Sequence, residues 1–144
     1  MSVIAKEATV GQEFSGKPKS VAWERLWTFS GGPFSSSGWP RKNIHTDPEF
    51  AMECGLSSVA VSATQFQGYM AELMIQLFGK PWLSHGEMCL KFVKLVPQGD
   101  VLTCKAVVRS REETGNGVRF SFDAWCENKH GEKVALGSAT GVLS

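Results

Sequence analysis

Apolar residues of the central segment fall at Val59, Ala63, Phe66, Met70, Leu73 and Leu77, in steps of 4, 3, 4, 3 and 4. That period predicts a long amphipathic helix with one buried stripe; Ser57 or Ser58 can cap its start, and Gly79-Lys80-Pro81 stops it. Beyond it the pattern changes to period two. Leu102, Cys104, Ala106 and Val108 alternate with Thr103, Lys105 and Arg109, and Val118, Phe120, Phe122, Ala124 and Cys126 with Arg119, Ser121, Asp123 and Glu127. These are half-buried strands. With turns at Thr114-Gly115-Asn116-Gly117 and Asn128-Lys129-His130-Gly131, strands near 87–96, 101–112, 118–127 and 133–143 are expected to pair antiparallel in sequence order. Upstream, Trp23, Leu26, Trp27 and Ser30 predict a short helix over Val21–Ser30 behind a Ser20 cap, ended by Gly31-Gly32-Pro33. Residues 34–43 predict a loop. Asp47-Pro48-Glu49 then reads as an N-cap, a proline at the first helical position and a favourable charge, opening a second short helix closed by Gly55. The fold class is therefore α+β, a long helix laid on one face of an antiparallel sheet.

Composition narrows the class further. With 144 residues, 42% of them hydrophobic, the chain suits one core and is too short for two comfortable domains, so residues 1–144 are expected to form a single domain. Lys and Arg number 15 against 14 Asp and Glu, with no basic cluster, which disfavours a nucleic-acid partner. Cys54, Cys89, Cys104 and Cys126 lack CxxC spacing and sit in apolar patterns, so buried free thiols in a reducing compartment are expected rather than disulfides or zinc. No run approaches the ~20 apolar residues of a membrane span and no leader-like apolar stretch opens the chain, so a cytoplasmic protein without membrane contact is the expectation. Rossmann, P-loop and metal-ligand spacings are lacking, which disfavours redox and phosphoryl-transfer chemistry and implies neither cofactor nor metal.

The chemistry-bearing stretch is Arg41-Lys42-Asn43-Ile44-His45-Thr46-Asp47-Pro48. It places one imidazole on an irregular segment just ahead of helices, where a scaffold can aim it into a cleft. No Asp or Glu lies between Glu24 and Asp47, so acid/base work here has no carboxylate upstream of His45. His45 is the candidate general acid/base, against a structural role in bonding the cap of the next helix. Asn43 either orients water or substrate or satisfies its own turn. Trp39, an indole on a polar loop, suits a ligand or a partner subunit. His85 and His130, beside turns, read as solvated, and Arg41, Lys42, Lys80, Lys91 and Lys94 are possible phosphate partners.

The ordered set of a short helix, Asn43-Ile44-His45-Thr46-Asp47-Pro48, Ala51 and Gly55, the long helix, Lys91-Phe92 and Val96-Pro97-Gln98-Gly99-Asp100 resembles the MaoC-like dehydratase and (R)-specific enoyl-CoA hydratase family, over roughly residues 8–143. The resemblance implies a hotdog fold, a sheet wrapped round a central helix, with sites at a dimer interface. It implies a hydro-lyase acting on a 2-enoyl or 3-hydroxyacyl thioester carried on CoA or an acyl carrier protein, in a homodimer or dimer of dimers. The family loop reads Gly-Asp-x-Asn-Pro-x-His, its Asp and His activating water together. Here His45 is kept and Pro40 stands at the Asp position. The family's Ala-His-Gly at the helix start is matched by Val61-Ser62-Ala63, so Ser62 or Ala63 is the position whose main-chain N–H takes the thioester oxygen. The missing carboxylate leaves two alternatives: a scaffold turned to isomerisation or cyclisation in a biosynthetic pathway, or a non-catalytic acyl-binding subunit.

Overall fold

The long helix begins later than its apolar repeat. In the computed structural model, which describes Ile4 and residues 6–37 and 42–144, α3 runs Ala63–Phe78 and the three residues Val59 to Val61 are extended. They are held by long-range main-chain bonds: Gln98 N to Val59 O (3.0 Å), Val61 N to Val96 O (2.8 Å) and Ala60 N to Ile44 O (3.0 Å). Two β-branched residues in that stretch favour the outcome. Ser62, not Ser57 or Ser58, occupies the N-cap, and its side chain makes no capping bond. Gly79, at φ 72°, ends the helix as expected.

The shorter helices differ in their starts. β2 (Lys19–Ser20) pairs with Leu102 and Val101, so Ser20 is in a strand and α1 (Trp23–Phe29) starts behind Ala22 without a side-chain cap. Residues Gly32–Ser37 form a 3-10 helix where a loop was expected. In α2 (Pro48–Glu53) Asp47 is the cap, Oδ1 accepting from Phe50 N at 2.9 Å, with Pro48 opening the helix. A further short helix, α4 (Pro81–His85), follows Gly79.

The sheet order is β1 (Glu13–Ser15), β4 (Val101–Thr114), β5 (Gly117–Glu127), β6 (Lys133–Leu143), β3 (Glu87–Phe92), all pairs antiparallel. β4, β5 and β6 pair in sequence order through the two expected turns. β3 does not: it ends at Phe92 and lies beside β6, with two strands between it and β4. The reason is the segment 93–100, which crosses instead of turning back. Val93 N and Lys94 N bond Val134 O, Val96 O takes the amide of Val61, and Gly99 N reaches Val21 O. Buried Asp100 fixes the entry into β4, accepting from Val101 N (2.7 Å) and Lys129 N (2.9 Å).

Phe66, Met70, Leu73, Met74, Leu77 and Phe78 of α3 are buried against the inward faces of β4, β5 and β6. Phe78 meets Phe122 edge-on with centroids 5.8 Å apart, a geometry that adds to the burial itself. Gly141 is required there, because a Cβ at that position lies 2.7 Å from the Phe78 ring. Cys104 and Cys126, opposite each other on β4 and β5, are buried; Cys54 and Cys89 are exposed, contrary to expectation, because neither faces α3. A hydrogen bond to Cys126 and burial both push the Cys104 thiol well above its ordinary range. Among the described residues no helix is long and apolar enough to cross a membrane.

Candidate active site

Residues 43–47 form a turn held from both ends. Asn43 O accepts from Thr46 N (3.2 Å) and Asp47 N (3.1 Å), and Asn43 Oδ1 accepts from His45 N (2.9 Å). Asp47 caps α2 and pairs with Lys42 (Nζ to Oδ2, 3.5 Å); the Phe50 amide, and then the Lys42 charge, hold its carboxyl below the ordinary 3.8. It is engaged by α2 and Lys42, and among the described residues no carboxylate bonds His45.

The imidazole is fixed by the extended segment that feeds α3. His45 Nδ1 lies 2.7 Å from Ala60 O. A carbonyl oxygen only accepts, so Nδ1 carries the hydrogen. In the neutral ring Nε2 is then the bare nitrogen, a proton acceptor on the far side of the ring. Ala60 N in turn donates to Ile44 O, so the loop and the helix entry clamp each other across His45.

His45 borders a cleft of about 440 Å³ lined by Val61, Ser62, Ala63, Thr64, Phe66 and the run from Phe92 to Val96. Its walls are mostly apolar. Phe66 and Phe92 close one side in an edge-to-face pair with centroids 5.1 Å apart. The first turn of α3 opens on it. The amides of Ala63 and Thr64 precede the first carbonyl-to-amide turn of the helix, and that turn holds no acidic side chain, so its positive dipole end is unneutralised. Ser62 Oγ is 2.8 Å from Thr64 Oγ1. Lys94, at the rim, is tied to Glu132 at 2.6 Å.

Three of the five sequence-predicted site residues, His45, Ser62 and Ala63, meet at this cleft. Asn43 does not line it; it orients the His45 backbone. Trp39 lies outside the described residues, as do Pro40 and Arg41. Thr64, Phe66, Phe92, Val93, Leu95 and Val96 line the cleft without having been singled out as site residues. Phe66 reads as core in the helical repeat, and Phe92 to Val96 face the cleft because β3 stops short. His85 and His130 are exposed, as expected. His85 borders a separate depression of about 840 Å³ with Lys80, Gly86, Glu87 and Arg119, near the C-terminal end of α3. Sixteen helical residues, about 24 Å, separate the two ends. Among the described residues no cluster of His, Cys, Asp or Glu suits a metal ion.

No protein-family model and no curated protein sequence matches the chain. Solved structures do. An (R)-hydratase from Pseudomonas aeruginosa, in its unliganded form, superposes with a TM-score of 0.73 at 20% identity, over 96% of this chain and 84% of its own. An (R)-hydratase from A. caviae involved in PHA biosynthesis gives 0.74 at 19%, over 97% and 100%. A MaoC-like dehydratase from Rhodospirillum rubrum gives 0.75 at 18%, over 99% and 97%. The chain has the hotdog fold of these proteins. In hotdog terms α3 is the central helix, β1 and β3 to β6 are the wrapping sheet, and the His45 cleft sits where the helix N-terminus emerges beside the sheet edge.

Proposed function

We propose that the protein is a hydratase or dehydratase acting on a 2-enoyl or 3-hydroxyacyl thioester, with His45 as its single general acid/base. The observation that carries this is the 2.7 Å bond from His45 Nδ1 to Ala60 O, which leaves Nε2 as the basic nitrogen beside an apolar cleft. In the hydration direction Nε2 takes a proton from water, the hydroxide adds to the β-carbon of the enoyl group, and the electron pair moves onto the thioester oxygen. In this reading the amides at the start of α3, Ala63 and Thr64, hold that enolate oxygen, helped by the helix dipole; both residues line the cleft, which supports the assignment. The same Nε2 then returns its proton to the α-carbon, so no second base is consumed. The apolar walls suit an acyl chain, and a homodimer is the assembly in this reading.

A second reading draws on the lack of a carboxylate bonded to His45 among the described residues. One base suffices to move a proton between carbons, so isomerisation or cyclisation of a related thioester fits the same site. Incubating the purified protein with a panel of 2-enoyl and 3-hydroxyacyl thioesters and following the mass change separates the two. Gain or loss of one water supports the hydratase; product of unchanged mass supports the isomerase. Absence of turnover on every member defeats both and leaves acyl binding.

A further inference from the structure

Cys104 and Cys126 are buried nucleophiles that the chemistry at His45 does not use, and they face each other inside the core. They are 3% and 1% exposed and stand directly opposite on β4 and β5. Either one alone is an ordinary small core residue. As a pair their backbone geometry is specific. Cys104 O accepts from Gly16 N (2.8 Å), and Val108, four residues on, accepts from Gly11 N and donates to Gln12 O, all on the β1 side of the strand. In an antiparallel ladder a residue turns its N–H and C=O to the same side, so Cys104 directs neither toward β5, and Cys104–Cys126 is a non-hydrogen-bonded pair. The Cα atoms of such a pair lie about 4.5 Å apart, inside the disulfide range of about 4.4–6.8 Å, with both side chains on one face. The two thiols are hydrogen-bonded to each other.

The ladder is broken beside Cys104. β1 ends at Ser15, opposite Lys105, and β2 begins at Lys19, opposite Leu102, so Gly16, Lys17 and Pro18 interrupt the pairing there. At the break an opening of about 10 Å³, room for about one water, reaches Cys104 between Gly16 and Lys19 on one side and Tyr69, Glu72 and Gln76 of α3 on the other. Lys19 closes over it in an ion pair with Glu72 (2.7 Å), and both side chains keep contact with solvent. Cys126, on β5, is one strand further from the break.

We propose that Cys104 and Cys126 form a reversible oxidation site, converted into a cross-strand disulfide by hydrogen peroxide entering at the break beside Gly16. The Cys104 sulfur attacks one peroxide oxygen: an S–O bond forms, the O–O bond breaks, and the other oxygen leaves as water with the thiol proton, giving a sulfenic acid. The Cys126 sulfur then attacks the Cys104 sulfur. An S–S bond forms, the S–O bond breaks, and the hydroxyl leaves as a second water with the Cys126 proton. The two sulfurs lose two electrons and the peroxide gains them. The hydrogen bond between the thiols and their burial keep Cys104 protonated, so the first step is slower than at an exposed thiol and the site responds to sustained oxidant. A Cα separation at the short end of the disulfide range makes the product readily reduced. Cys104 Sγ lies 4.0 Å from Phe66 O, and Phe66 lines the His45 cleft, so the bond forms directly behind that wall.

The test treats a folded Cys54→Ser, Cys89→Ser variant, which lacks the two exposed thiols, with millimolar hydrogen peroxide. An intact mass lower by two hydrogens is expected, with Cys104 and Cys126 joined in the digested peptides and both thiols recovered in dithiothreitol. Adding Cys126→Ser is expected to halt the reaction at a Cys104 sulfenic acid that dimedone captures. Glu72→Gln opens the ion pair over Cys104 and removes a negative charge that disfavours its thiolate, so the oxidation rate is expected to rise about two- to tenfold. Folded protein that keeps both thiols overturns the proposal, and so does a Cys104→Ser variant whose Cys126 is captured by dimedone as fast. A rate unchanged by Glu72→Gln overturns entry at the break. No readout uses turnover, so the outcome is independent of the reaction at His45.

Discussion

Substituting His45 by Asn and by Ala separates what its two ring nitrogens do. Asn sets an amide nitrogen close to where Nδ1 stands, so it retains the donor to Ala60 O and removes Nε2. Ala removes both. Ala60 is 3% exposed, so in the Ala variant its carbonyl loses a partner that water replaces poorly. An orphaned buried acceptor costs about 1–3 kcal/mol; because His45 itself is half-buried, the lower half of that range, about 1–1.5 kcal/mol, is expected. For a chain of this size that lowers Tm by roughly 3–6 °C. The Asn variant is expected within about 0.5 kcal/mol of wild type. Activity divides differently: both variants lose Nε2, and loss of a general acid/base lowers kcat by about 10²- to 10⁴-fold. The assay pairs thermal unfolding by circular dichroism with steady-state turnover on the thioester that the panel identifies. An Asn variant with wild-type kcat refutes the acid/base role of Nε2. An Ala variant as stable as wild type refutes the clamp between His45 and Ala60.

Two other outcomes follow from the same structure. Gly141→Ala drives a Cβ to 2.7 Å from the buried Phe78 ring, and overpacking of that kind costs about 1–3 kcal/mol; urea unfolding with an unchanged midpoint argues that the helix and sheet repack freely there. Bonds from Trp125 Nε1 and Lys105 hold the Glu127 carboxyl below its ordinary 4.5. A depressed carboxylate stabilises the fold above its unfolded pKa and loses that contribution as pH falls through the folded value. Glu127→Gln is therefore expected to be less stable near neutrality and to converge with wild type in the acid limb, and parallel stability curves across that range contradict the assignment.

The sequence by itself determined the elements whose signal is local. The repeat from Ala63 to Leu77 forms a helix because a single buried stripe at that period has no other way to leave water, and Gly79 ends it because its φ is positive. Alternation in β4 and β5, with turn residues between the strands, fixed a hairpin and its inward face. Asp47 was legible as a cap because its partner, the Phe50 amide, is three residues away. His45 stood out for the opposite reason, as a titratable group that no local pattern explains. Tertiary structure decided what depends on residues far apart in the chain. Val59 belongs to the helical repeat, yet Gln98 and Val96 claim the main chain around it, and bonds to a distant extended segment outweigh a few residues of helical preference. β3 looked like the first strand of a meander, and only the crossing over Val59–Val61 and Val21 carried the chain past two strands and left β3 on the edge. Even the tautomer of His45 rests on Ala60, fifteen residues on. A cleft is the space that such long-range pairings leave between elements, and periodicity along the chain carries no term for it.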